Sequence, residues 1–243
     1  MKRWLIVFLS VVIFRAFSLP VLAYEINRQI SGPIAPDRLI EQRAFKAPDR
    51  ISINKYQLTQ YLIKPFSNDY DKLRVIAYWI ASHIAYDSYK FDNGKANKKE
   101  MKFKYDILKA KAGICSDFAL LFAQMADIAN VKSVEVVTGY VLENAKGLKK
   151  NYSRHEMPVT GHAWNRVTLN GRRFFVDTTY MSANRIGYNH KYKSSLKHKL
   201  DVQKRMYTKE RFNRNINTFY FDFTPRDEVK HGNLRHIMRK YVH

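Results

Sequence analysis

Cysteine is almost absent from this 243-residue chain: Cys115 is the only one. That excludes an intrachain disulfide framework, a Cys-rich zinc site and a CxxC redox pair. Nine glycines and seven prolines are too few for a collagen-like or linker-dominated chain. Acids are scarce beside bases, 21 Asp plus Glu against 43 Lys plus Arg, which gives a formal net charge of +22. The bases are spread along the chain rather than gathered in one block. With 46% apolar residues the chain can still bury a core, so it is not a disordered polyelectrolyte. Past residue 23 no apolar run is long enough to cross a bilayer.

The chain opens with a targeting pattern. Met1-Lys2-Arg3 is a cationic start, Trp4 to Phe14 is an apolar run broken only by Ser10, and Arg15 and Pro20 end its continuity. With Val21-Leu22-Ala23 this reads as a secretory signal peptide over residues 1–23, cleaved after Ala23, rather than an uncleaved anchor. Cleavage removes three bases and no acids and leaves a net charge of +19. The expected location is therefore periplasmic or secreted. A strongly basic exported chain meets anionic envelope surfaces, whereas nucleic acid is a poor expectation, since no HTH, RRM or zinc-finger pattern occurs. Lineage bias toward lysine explains the charge equally well. A lone thiol in an oxidising compartment is either buried packing or a reactive group.

The elements read as helices first and strands after. Residues 24–53, with Pro33, Pro36 and Pro48, predict an extended entry and a candidate pro-segment; the domain proper is expected over 54–243, with its core in 54–181 and a basic part in 182–243. Asn54 to Lys64 predicts a short helix stopped by Pro65. Asn68 or Asp69 caps a second, with Leu73, Ile76, Ala77, Ile80 and Ile84 at helical spacing. Residues 88–106 read as a Lys-rich loop. A helix from Cys115 to Asn130 carries the stripe Phe118, Leu121, Phe122, Met125, Ile128 and Ala129. Ser133 to Val141 reads as a strand, 143–160 as a basic loop, and the last sixty residues are weakly patterned.

His162–Leu169 and Arg172–Asp177 form two strands around Asn170-Gly171, a strong two-residue hairpin signal. A two-residue turn sets Leu169 opposite Arg172, Val167 opposite Phe174 and Trp164 opposite Asp177. Alternation then puts His162, Trp164 and Asp177 on one face, with His162 the diagonal neighbour of Asp177. The spacing thus predicts a His–Asp hydrogen bond. Cys115, after Gly113-Ile114, opens a helix, where free backbone N–H groups and the positive dipole end favour thiolate. Thiol, imidazole and orienting carboxylate are the parts of an activated nucleophile, and the Cys115 N–H is a natural oxyanion donor. Each residue singly also has a plain structural reading: a core cysteine, a satisfied polar pair, a strand-ending aspartate.

Gly113-Ile114-Cys115-Ser116-Asp117-Phe118-Ala119, Gly139-Tyr140-Val141, His162-Ala163-Trp164-Asn165 and Val176-Asp177-Thr178-Thr179-Tyr180 together resemble the transglutaminase-like superfamily. The upstream Trp79–Asp87 segment is similar to the helix that precedes its nucleophile, and Tyr220-Phe221, Pro225 and His231 resemble the tail of its kyphoscoliosis-peptidase-like branch. The resemblance implies a papain-like α+β fold, with N-terminal helices and a nucleophile at a helix N-terminus packed on an antiparallel β-sheet. It implies Cys115 as nucleophile, His162 as general base then acid, and Asp177 as the orienting carboxylate, acting on a protein or peptide amide; no cofactor and no metal are expected. Trp79 and Tyr86 are read as core or cleft-wall residues. Tyr180 stands where a Trp is common, so the acceptor side of the cleft can differ. The leading expectation is a cysteine peptidase or amidase. Its rivals are a transglutaminase with an amine acceptor, a non-catalytic basic envelope-binding module, and, lowest, a histidine metal site, for which no HExxH pair exists. Nothing in the sequence speaks to oligomeric state.

Overall fold

The computed structural model describes residues 33–88, 91, 106–142, 159–183, 185–186, 216–231 and 235–238. The signal-peptide reading, residues 24–32, nearly all of the 88–106 loop and the expected loop up to residue 158 lie outside them. No helix among the described residues is long and apolar enough to cross a membrane.

Three helices and a 3-10 turn come first. α1 (Asp37–Phe45) and the 3-10 turn (Asp49–Ile51) occupy the segment expected to be extended. The prolines behind that expectation flank these elements: Pro36 precedes α1 and Pro48 precedes the turn, positions where a missing N–H costs nothing. Ile40 and Ala44 of α1 are fully buried, and α1 packs on α3 (Asp69–His83). Arg74 of α3 binds the Ala35 carbonyl at 2.9 Å and Asp71 at 2.8 Å, and Asp71 in turn accepts the Ala35 N–H at 2.7 Å. Residues 33–45 are therefore built into the domain. α2 (Lys55–Ile63) is capped by Asn54, whose side chain accepts from the Gln57 N–H at 3.0 Å; Asn68 caps α3 through the Asp71 N–H at 2.7 Å. α3 is buried on every side from Leu73 to Ser82, the signature of a central core helix. Trp79 sits within it, fully buried.

A short strand β1 (Ala85–Asp87) follows, then α4 (Ile107–Ala110), β2 (Ala112–Gly113) and α5 (Cys115–Ile128). β1 pairs in parallel with β2 and with β6 (Arg185–Ile186), a small sheet too short to leave a hydrophobic pattern. The stripe expected on α5 is buried at Phe118, Leu121, Phe122 and Met125, with Ala126 added.

The main sheet holds β3 (Val134–Leu142), β4 (Val159–Leu169), β5 (Arg172–Val176), β7 (Phe221–Phe223) and β8 (Arg235–Met238), in the antiparallel order β7-β5-β4-β3-β8. Asn170 and Gly171 have φ of 49° and 81°, as the hairpin turn requires. The register pairs Leu169 with Arg172 and Val167 with Phe174, as the turn length predicts. Val167, Phe174 and Val176 face the helical core, while Trp164, Phe175 and Phe223 form a separate cluster. In the weakly patterned tail the described residues form a 3-10 turn (Thr218–Tyr220), β7, α7 (Pro225–His231) and β8, which pairs along the edge of β3. This is the expected α+β arrangement of helices on an antiparallel sheet.

Candidate active site

Cys115 is the first residue of α5, 7% exposed, in a small cluster with Ala119, Ala163 and Tyr86 apart from the main core. Asp117 reaches back to accept the Ile114 N–H at 2.9 Å and so seals this helix start. Gly113 makes room for that return: a Cβ there would lie 2.8 Å from the Asp117 Cβ. Asn165 ties β4 to the same helix, its amide donating to the Ala119 carbonyl at 3.0 Å. Cysteine and strand are thus held in register from both sides.

His162 and Asp177 meet as expected, though by a different route. β5 stops at Val176, paired with Asn165, so the expected Trp164–Asp177 pair does not exist. Asp177 instead caps α6 (Thr178–Met181), its Oδ1 accepting the N–H groups of Thr179 at 2.9 Å and Tyr180 at 3.1 Å. That leaves Oδ2 for His162 Nε2, 2.6 Å away. Both residues are buried, His162 at 8% and Asp177 at 1% exposure. A strand end that becomes a helix cap aims one carboxylate oxygen at the backbone and the other at the ring.

The electrostatics follow from burial against partnership. Burial alone would strip the proton from His162, but Asp177 outweighs it and Cys115 adds to the pull, so the ring is raised to about 10. Cys115 acts on it by hydrogen bonding and by charge. With Nε2 taken by Asp177, Nδ1 is the nitrogen left for the thiol. Asp177 is penalised by burial, yet His162 and then His236 hold it well below the usual carboxylate range.

His236 and Glu228 were not found from sequence. His236, on β8, places Nε2 2.8 Å from the same Asp177 Oδ2, and its Nδ1 bonds Glu228 of α7. No local signal marks either: β8 is four residues long, has no alternating pattern, and pairs with a strand nearly a hundred residues upstream. Of the resembling tail residues, Tyr220 and Phe221 pack against the core.

His162, Asp177 and His236 bring three ligand-type atoms within 4.8 Å of one another. Asp177 Oδ2 lies 2.6 and 2.8 Å from the two ring nitrogens, closer than the roughly 3.3 Å that separates two ligands of one tetrahedral zinc. The residues fit a proton array rather than a metal centre.

The pair predicts a pH-dependent stability. A ring whose affinity is raised from 6.5 to about 10 contributes fully below pH 6.5, and the contribution fades as pH rises through 10. Asp177, shifted down, contributes above its ordinary range near pH 4 and loses it only in strong acid. Lys111, lowered by burial to about 8, acts with the opposite sign in the alkaline range, so the comparison is with a His162→Gln variant that keeps Lys111. Thermal melts should show the wild-type advantage over that variant at pH 5–6.5 shrinking by about 5–10 °C toward pH 10. A constant difference would contradict the ion pair.

Against known proteins, the family model of the transglutaminase-like superfamily matches residues 56–178. The kyphoscoliosis peptidase of Mus musculus is 33% identical over 127 residues, covering 52% of this chain and 18% of that protein. The Homo sapiens kyphoscoliosis peptidase is 32% identical over the same length and shares. The chain thus spans under a fifth of these curated relatives. A crystal structure described as that of a TGase superposes with a TM-score of 0.35 at 18% identity, covering 74% of this chain and 42% of that one. The family model takes in the helix that opens at Cys115, the β4–β5 hairpin with His162, and the Asp177 cap, and on that match this chain belongs to the transglutaminase-like superfamily.

Proposed function

We propose that the protein is an exported thiol enzyme that cleaves amide bonds of protein or peptide substrates through a Cys115 thioester. One observation carries the reading: His162 is bonded through Nε2 to a buried carboxylate while the cysteine at a helix N-terminus hydrogen-bonds to the same ring. In this scheme His162 takes the thiol proton and the sulfur attacks the amide carbonyl carbon. The Cys115 N–H donates to the oxyanion. The C–N bond then breaks as His162 returns the proton to the departing nitrogen. Water, deprotonated by His162, attacks the thioester, and the carboxylic acid and the thiol are released. Asp177 keeps the ring oriented and charged between these transfers.

The first half-reaction is common to hydrolysis and amine transfer. The peptidase naming of the curated relatives favours water as acceptor. An amide substrate is supplied with and without a fluorescent primary amine; release of free acid should exceed amine incorporation, and the reverse outcome makes the enzyme a cross-linker. Cys115→Ala should abolish both. If amide cleavage survives the substitution, the thioester reading fails; if the protein cleaves no amide and its binding to anionic surfaces is unchanged by the substitution, the chain is a binding module. Export is part of the same proposal: the N-terminal residue of the cell-exported form should be Tyr24.

A further inference from the structure

Asp177 serves two histidines, and the second has its own carboxylate. His236 Nε2 lies 2.8 Å from Asp177 Oδ2, the oxygen His162 also uses. His236 Nδ1 bonds Glu228 Oε1, and Glu228 Oε2 accepts the His236 backbone N–H at 3.0 Å. The His236 and Glu228 side chains are each 2% exposed. An imidazole with both nitrogens against carboxylate oxygens satisfies them only when both carry protons. A neutral ring would set a lone pair against an anion. The other groups around it are rings: Trp164 at 4.7 Å, Phe223 at 5.1 Å, His162 at 5.6 Å, Tyr180 at 6.0 Å and Tyr220 at 6.4 Å between centroids. Among the described residues, the charged and titratable groups facing His236 are Asp177 from the α6 cap, Glu228 from α7, His162 from β4, and the two tyrosines.

We propose that His236, kept cationic by Glu228, is a positioning residue that loosens the hold of Asp177 on the His162 proton, so that His162 can deliver it to the leaving nitrogen. The inference rests on the thiol mechanism above. A lone buried aspartate bonded to His162 would favour the imidazolium so strongly that proton delivery slows. A second cation on the same oxygen divides that attraction. His236 keeps both its protons throughout, so no proton is added to the reaction.

Glu228→Gln tests this with the least disturbance. The glutamine oxygen can accept the His236 N–H and its amide can donate to Nδ1, which makes His236 neutral while Nε2 still donates to Asp177. Histidine 15N resonances of the full chain should then show the His162 ring titrating at higher pH by about one unit. With an amide substrate, kcat should fall about tenfold at unchanged KM. Should that variant not fold, Glu228→Gln with His236→Gln removes both charges together and keeps an amide donor toward Asp177. Unchanged His162 titration and unchanged kcat in the folded variant overturn the inference. Failure of the underlying mechanism shows separately, with Glu228 and His236 intact, as amide cleavage that survives Cys115→Ala.

Discussion

Replacing Asp177 by Asn should lower kcat by about four orders of magnitude while leaving the fold in place. Asn is as good a helix cap as Asp, so one amide oxygen can take over the Thr179 and Tyr180 N–H groups and α6 should survive. The amide NH2 must then face the position of Oδ2, toward Nε2 of both histidines. Two N–H donors cannot point at one another, so His162 has to present Nε2 as an acceptor and carry its proton on Nδ1. That is the nitrogen the thiol needs. The base is blocked by tautomer rather than by distance, and the stabilising anion is lost at once. Turnover with an amide substrate, and iodoacetamide labelling of Cys115 near neutral pH, should both collapse. The melting temperature at pH 8 should move much less. Loss of labelling together with loss of structure would assign Asp177 a capping role alone, and undiminished turnover would remove it from the mechanism.

How far this site could be read from sequence depended on the range of the interaction that built each part. The β4–β5 register was legible because Asn170-Gly171 sets it locally, and Leu169 duly pairs with Arg172. The start of α5 at Cys115 was legible because Gly113 breaks the chain and an apolar stripe comes after it. Extrapolating the ladder one pair beyond Val176 failed, since Asp177 commits Oδ1 to α6 and cannot remain a strand residue. The hydrogen bond to His162 survives that error because a cap and a diagonal strand neighbour both bring the carboxylate to the ring. α1 was hidden by prolines that flank it, although its burial against α3 depends on Ile40 and Ala44. Glu228 and His236 were hidden for another reason. Their placement comes from β8 joining β3, a pairing between short segments whose register no local turn determines.

That pairing depends on one residue, and Gly139→Ala should undo it. Gly139 lies between His162 of β4 and Met238 of β8 in the sheet. A Cβ at Gly139 would stand 2.1 Å from the Ile237 carbonyl oxygen, 3.0 Å from its carbonyl carbon and 2.8 Å from the Trp164 ring. Two of those atoms are backbone, and Trp164 is fully buried, so no flexible tip can swing aside. β8 must leave the edge of β3. With it goes His236, which leaves Glu228 buried without the ring that pairs it and Asp177 with His162 alone. The loss of a strand pairing and of a buried charge partner is expected to cost about 3–5 kcal/mol, against a fraction of that for an ordinary surface change. Gly161→Ala is the control: it pairs with Tyr140 in the same ladder, and a Cβ there meets nothing within 4 Å. Hydrogen exchange should show the amides of Arg235–Met238 unprotected in the Gly139 variant and protected in the Gly161 variant. If β8 is what keeps the Asp177 pull on His162 in check, the Gly139 variant should also show the raised His162 titration of Glu228→Gln. A folded Gly139→Ala protein with β8 still protected would mean that Ile237 yields where its backbone position says it cannot.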